Sequence, residues 1–256
     1  MAEQSSPFWT RVCDSLFVKN PNWFETVNTL ADKLDPAVCL KHTVSGEQAT
    51  STGIRAFGWV NGGIQEEVKP NPLCPSDFPI ENLRWAYLQF LFQFIQFEAV
   101  YNYLMEEGLG APQFWHSDTV EQFLEFAQTM AFYSAMLILC EEGRLPEAPS
   151  YLETCVREEI RKIATVLTSK TRDYGQAFLR HGVVGLLYRV WDKIARYATL
   201  SAENRPAKWE SRKDTVMDML GYSVLIWSIL EEMKSIRGEY KNVNTFSGQH
   251  QFGGKT

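Results

Sequence analysis

Asp214 and Asp218 stand one helical turn apart at the head of a segment that is otherwise dominated by apolar side chains from Val216 to Leu230. Carboxylates turned toward a helical core need a metal, a base or a hydrogen-bond network, because burying an unpaired charge is strongly unfavourable. On a helical wheel of residues 182–200, Arg189, Asp192, Lys193 and Arg196 share one face, while Leu187, Val190, Trp191, Ile194 and Ala198 take the other. Asp192, Asp214 and Asp218, from two consecutive helices, make three carboxylates that suit a hard divalent cation such as Mg²⁺, with Mn²⁺ as a substitute. Lys193, Arg196 and Arg189 stand beside them as partners for phosphate oxygens. A solvated charged face laced with i,i+3 and i,i+4 ion pairs explains the same pattern without a ligand. Just upstream, Lys170-Thr171-Arg172-Asp173-Tyr174-Gly175 reads as a polar break between helices. Gly175 permits a turn there, while Lys170 complements a helix dipole and Asp173 can cap the next helix.

Helices must hold these residues, and the chain supplies them. Pro7 and Pro21 stand where a first helical turn begins, and residues 8–17 and 23–34 have helical periodicity. Between 43 and 79 the texture changes to Gly, Ser, Thr and Pro. There 54–60, Asn61-Gly62-Gly63 and 64–68 pattern as a small β-hairpin, the one credible strand pair. Helices are expected at 80–107, 118–142, 151–169, 182–200 and 206–236. The second opens on a capping-box pattern, Asp118-x-x-Glu121, and stops at Gly143 with Pro146 beyond. The fold class is therefore an all-α multi-helix bundle with a hairpin insertion. The stretch 143–150, with Pro146 and Pro149, divides an N-terminal region, 1–145, from a helical domain at 150–240, and a flexible tail follows at 241–256. Asp118-Thr119-Val120 and Asp214-Thr215-Val216 hint at a duplication whose front copy has Gln122 where the second acid would fall.

The chain has 256 residues, 45% of them apolar, which is ample for a core. A net charge of −6 argues against broad electrostatic capture of nucleic acid. Five scattered cysteines without a C-x-x-C pair fit a reducing compartment, and residues 1–7 show no secretory pattern, so a cytoplasmic location is expected. The uncharged run from Trp85 to Phe97 is shorter than the ~20 residues a bilayer requires. Its glutamines, Gln89, Gln93 and Gln96, form a stripe expected to face solvent or another subunit. No Walker, Rossmann, nucleophile-elbow or H-E-x-x-H motif is present, and His42, His116 and His181 do not cluster.

Taken in order, Lys170-x-x-Asp173-Tyr174-Gly175, Asp192-Lys193-x-x-Arg196 and Asp214-x-x-x-Asp218-x-x-x-Tyr222 resemble nucleotide modification associated domain 1, itself similar to the MazG-like all-α nucleoside triphosphate pyrophosphohydrolases. The resemblance spans about residues 158–230. It implies an oligomeric helical bundle of phage or bacterial nucleotide metabolism or DNA modification, in which helix-borne acids hold Mg²⁺ and a nucleoside triphosphate is split into its monophosphate and pyrophosphate. On that basis Asp192, Asp214 and Asp218 would hold the metal, and Asp173, Asp192 and Asp218 form the catalytic set, with Asp173 as general base. Lys193 and Arg196 would neutralise developing phosphate charge and Lys170 or Arg172 would meet distal phosphates, with Arg189, Tyr174 and Tyr222 completing the substrate-binding set. The sequence departs from the E-x-x-E and E-x-x-D patterns of the MazG-like enzymes: Arg189 precedes Asp192 by three residues, and Thr215 precedes Asp218. Glu158, Glu159 or Glu210 are the alternatives for a missing ligand. Two further readings stand beside the hydrolase: a nucleotide-binding module that no longer hydrolyses, and a helical interaction or assembly protein presenting the aromatic helix 85–103. No membrane partner is expected.

Overall fold

Helix starts and stops follow local chemistry. In the computed structural model, which describes residues 22–41, 77–106, 117–146, 149–175, 177, 182–202 and 210–247, the Asn22 side chain accepts the Glu25 N–H and opens α1, Trp23–Lys33. Glu25 in the first turn and Lys33 in the last complement the helix dipole. Asp35 then accepts the Ala37 N–H at 2.9 Å, starting a short α2, Pro36–Lys41, with proline in its first position. Next come α3 (Asp77–Glu106), α4 (Ser117–Glu141), α5 (Pro149–Tyr174), α6 (Gly182–Ala202) and α7 (Arg212–Ser247). The protein is an all-α multi-helix bundle, with no strand among the described residues.

α4 ends where Gly143 turns left-handed at φ 62°, its N–H donating to Cys140 while that of Arg144 reaches back to Leu139. Three boundaries differ from the sequence reading. Lys170 to Tyr174 are not a break but the last turn of α5, and Gly175, at φ 61°, is its left-handed stop. α7 begins at Arg212 rather than at 206, and it runs through residues 241–247, the first part of the expected tail. The hairpin at 54–68, the helix at 8–17, His42, His116, His181 and residues 248–256 lie outside the described residues.

α4 is the central helix. From Phe126 to Leu139 only Gln128 is not buried, so the helix is apolar all round, as a core helix must be. Its span Val120–Glu141 is long and apolar enough to cross a membrane, yet 83% of that window is buried within the bundle. α7 packs against it more extensively than any other pair of helices meets, and α3, α2 and α5 cover its remaining sides. One apolar cluster therefore runs from Trp23 to Met233, across the 143–150 turn. Aromatic rings lock α3 to α4: Phe90 and Phe94 lie 5.3 and 5.2 Å from Phe123. On the outer side of α3, Gln96 is exposed and Gln89 and Gln93 are half-buried, while Phe92 and Ile95 are 58% and 47% exposed.

Candidate functional site

α5 is held in place by α1 along one side. Arg157 donates to the carbonyls of Ala31 and Leu34, at the C-terminal end of α1, and pairs with Glu153 at 2.7 Å. The cation thereby adds to the long Leu34 N–H contact on the Ala31 carbonyl, 3.4 Å, and caps the helix end. Further along, Arg161 pairs with Asp32 at 2.6 Å, and the Trp23 indole N–H donates to the Thr171 hydroxyl at 2.8 Å. These contacts fix the last turn of α5 against α1.

Between that turn and the first half of α7 lies a cleft of about 320 Å³. Val166, Leu167, Met217 and Leu225 give it apolar walls, Tyr222 contributes a ring, and Lys170, Thr171 and Asp218 provide the polar groups. A largely apolar hollow with a few convergent polar side chains has the composition of a small-ligand site.

Asp218 is the pivot. Its carboxylate accepts from Lys170 on α5 through one oxygen and pairs with Lys193 on α6 at 2.7 Å through the other. Lys193 also pairs with Glu210 at 2.8 Å. Arg196, one turn further along α6, donates to the Glu210 carbonyl at 2.9 Å and to the Thr215 hydroxyl at 3.3 Å. Burial pushes the Asp218 carboxyl up, but the lysine hydrogen bonds and charges outweigh it and hold the group below its ordinary range. For Lys193 burial works downward, and the bonds to Asp218 and Glu210 overcome it and raise the ammonium above its ordinary value. The site is a charged network joining three helices, with Lys170 at its open end.

The remaining sequence candidates are dispersed. Asp214 is exposed; its Oδ2 accepts from the Ser211 N–H at 3.1 Å and the Ser211 hydroxyl at 2.7 Å, while its own N–H donates to that hydroxyl. This reciprocal pair is a capping box, not a cation ligand. Asp192 is exposed on the other side of α6, toward Tyr87, whose hydroxyl is pushed up by burial, then by Tyr188 and by the Asp192 charge. Arg172 and Asp173 pair with each other at 3.6 Å, both well exposed, and Arg189 is exposed on α6. Tyr222 lines the cleft; Tyr174 closes α5, its side chain outside the described part.

Of the carboxylates in the Mg²⁺ reading, Asp214 caps α7, Asp218 offers both oxygens to lysines and Asp192 lies toward Tyr87; among the described residues no three His, Cys, Asp or Glu side chains are grouped to hold a metal ion. Glu210 serves Lys193 and Arg196, and buried Glu159 serves Arg144 at 2.8 Å and Lys162 at 2.6 Å.

Thr171, Thr215 and Leu225 are parts of the site that the motif reading passed over. The first two are polar positions next to motif residues, and Leu225 falls one turn beyond Gly221 on the face that carries Asp218. A second ionic cluster was also unforeseen: Glu142 meets Lys213 at 2.6 Å and also Arg144, and Glu141 meets Arg212 at 3.2 Å and the Tyr197 hydroxyl at 2.7 Å. It ties the end of α4 to the start of α7 and, through Tyr197, to α6.

The chain matches no protein-family model, no curated protein and no solved structure.

Proposed function

We propose that this chain binds a nucleotide in the cleft between α5 and α7, with the phosphate end at Lys170 and the base along Met217, Tyr222 and Leu225. The observation that supports it is the Lys170–Asp218–Lys193 cluster set at one end of an otherwise apolar cleft. Lys170 is 46% exposed along its side chain, so it can turn from Asp218 to an incoming anion at little desolvation cost. The apolar walls and the Tyr222 ring suit a flat heterocycle, which gains from burial and from stacking.

The motif resemblance extends this reading to cleavage of nucleoside triphosphates into monophosphate and pyrophosphate, in phage or bacterial nucleotide metabolism. Binding needs only the cleft and Lys170, and it is the part of this reading that the geometry favours. A thermal-shift titration tests it, because a ligand of the folded state raises the melting temperature by mass action. A panel of (deoxy)nucleoside mono-, di- and triphosphates, with and without Mg²⁺, should raise Tm for the native chain and raise it less for Lys170→Met. No shift under any condition would sink the proposal. Monophosphate and pyrophosphate appearing in the same mixtures would place the protein among the enzymes.

A further inference from the structure

The charges around the cleft limit what the nucleotide can be. Three cations, Lys170, Lys193 and Arg196, face two carboxylates, Asp218 and Glu210, which leaves one net positive charge. Arg172 and Asp173 pair with one another and add none. Only Lys170 among the cations lines the cleft itself. A phosphomonoester carries about −1.5 to −2 near neutral pH, close to what this site can neutralise; a triphosphate carries far more. The volume, about 320 Å³, lies at the small end of ligand pockets.

A second donor stands beside Lys170. Thr171 lines the cleft, and its hydroxyl accepts the Trp23 indole N–H at 2.8 Å. A hydroxyl has one hydrogen and two lone pairs. With a lone pair taken by Trp23, its hydrogen remains to be donated.

We infer that the cleft is built for a single phosphoryl group on a small planar body, a nucleoside monophosphate, whose phosphate is received by Lys170 and the Thr171 hydroxyl. This rests on the nucleotide-binding reading above. Trp23 is then a positioning residue that orients the hydroxyl from α1, and Asp218 sets the charge limit by neutralising the lysines behind it.

Isothermal titration of the full chain without metal tests the assignment, using a nucleoside 5′-monophosphate, the matching triphosphate, the nucleoside, ribose 5-phosphate and inorganic phosphate. The monophosphate should bind about tenfold more tightly than either the triphosphate or the nucleoside, since a charge-assisted contact contributes on the order of a decade in affinity. Lys170→Met and Thr171→Val should each weaken the monophosphate several-fold and leave the nucleoside unchanged. Asp218→Asn, which adds one unit of positive charge, should narrow the gap between triphosphate and monophosphate. Thr171→Val keeps the side-chain shape and carries the test if Lys170→Met loses its helical circular dichroism. A triphosphate that binds as tightly as the monophosphate, or ribose 5-phosphate that equals it, overturns this inference and leaves nucleotide binding standing. Absence of binding by every nucleotide overturns both.

Discussion

At the scale of the residue, Asp218 decides what the site is. Both of its oxygens are engaged by lysines, and only 18% of its side chain is exposed, so removing it strands the Lys193 ammonium, itself 18% exposed, with Glu210 alone. Asp218→Ala should therefore lower stability by about 1–3 kcal/mol, the usual cost of leaving a charged hydrogen-bonding group short of a partner. Chemical denaturation of the two proteins at neutral pH measures it. The pH dependence has a definite sign. The folded carboxyl titrates below its ordinary value of 3.8, so its stabilising effect is complete at neutral pH and fades as the pH falls through the folded value. The stability gap between native chain and variant should thus be widest near pH 7 and close below about pH 4; a gap that widens in acid would contradict this placement.

The sequence made half of this legible. Alternating apolar and charged positions on α6 put Lys193 and Arg196 toward the acids of the next helix, and they meet Glu210, Thr215 and Asp218 there. What spacing could not separate was Asp214 from Asp218. Two acids four residues apart look alike on a wheel, yet Asp214 stands in the first turn, where Ser211 three residues before it makes a cap the stronger local option. Asp192 shows the same limit: one residue of offset from Lys193 turned it to the other side of α6, toward Tyr87.

At the scale of the element, α7 carries two separable properties. Its start depends on the Ser211–Asp214 box, so Ser211→Ala should destabilise the fold by about 0.5–2 kcal/mol, as lost N-caps do. Asp214→Asn should cost less and leave nucleotide affinity unchanged in a titration, whereas a metal-ligand role for Asp214 would abolish Mg²⁺-dependent binding. Further along, Gly221 sits inside the helix, and an added Cβ would meet Ile163 and Leu167 side chains only at 3.8–3.9 Å, ordinary contact distance. Gly221→Ala should therefore stabilise the protein by about 0.5–1 kcal/mol through helix propensity, read as a rise in Tm; a fall would mean that α5 and α7 approach more closely than described.

Helix positions were read well from periodicity for α1, α3, α4, α5 and α6, because their apolar stripes and their Pro and Gly stops are local signals. The polar stretch after Ser169 predicts a stop there, five residues short of the helix end at Tyr174. Lys170 to Asp173 are polar and resemble a loop, but Trp23 and α7 cover that turn and tertiary contact carries the helix on to Gly175. α2 went unseen since six residues leave too little periodicity to register.

At the scale of the whole molecule, α4 and α7 form the axis on which the site is mounted. Trp227 on α7 is fully buried, and truncation to Ala should cost about 3–5 kcal/mol, the range for large core aromatics. Leu225, which lines the cleft, is two residues from it on the same helix, so such a variant should lose nucleotide binding together with its cooperative unfolding transition. The apolar cluster joins helices on both sides of the 143–150 turn, and α1 reaches the cleft by way of Trp23. That long-range contact, separated by 148 residues, is invisible to local pattern and supplies the orientation of Thr171.

Hydrogen–deuterium exchange of the full chain with and without a nucleoside monophosphate tests the central claim most directly, because it reports where the ligand sits. Slowed exchange confined to residues 166–175 and 217–225, and absent in Lys170→Met, is the expected result. Protection at the outer side of α3, around Phe92 and Ile95, with none at those two segments would contradict it.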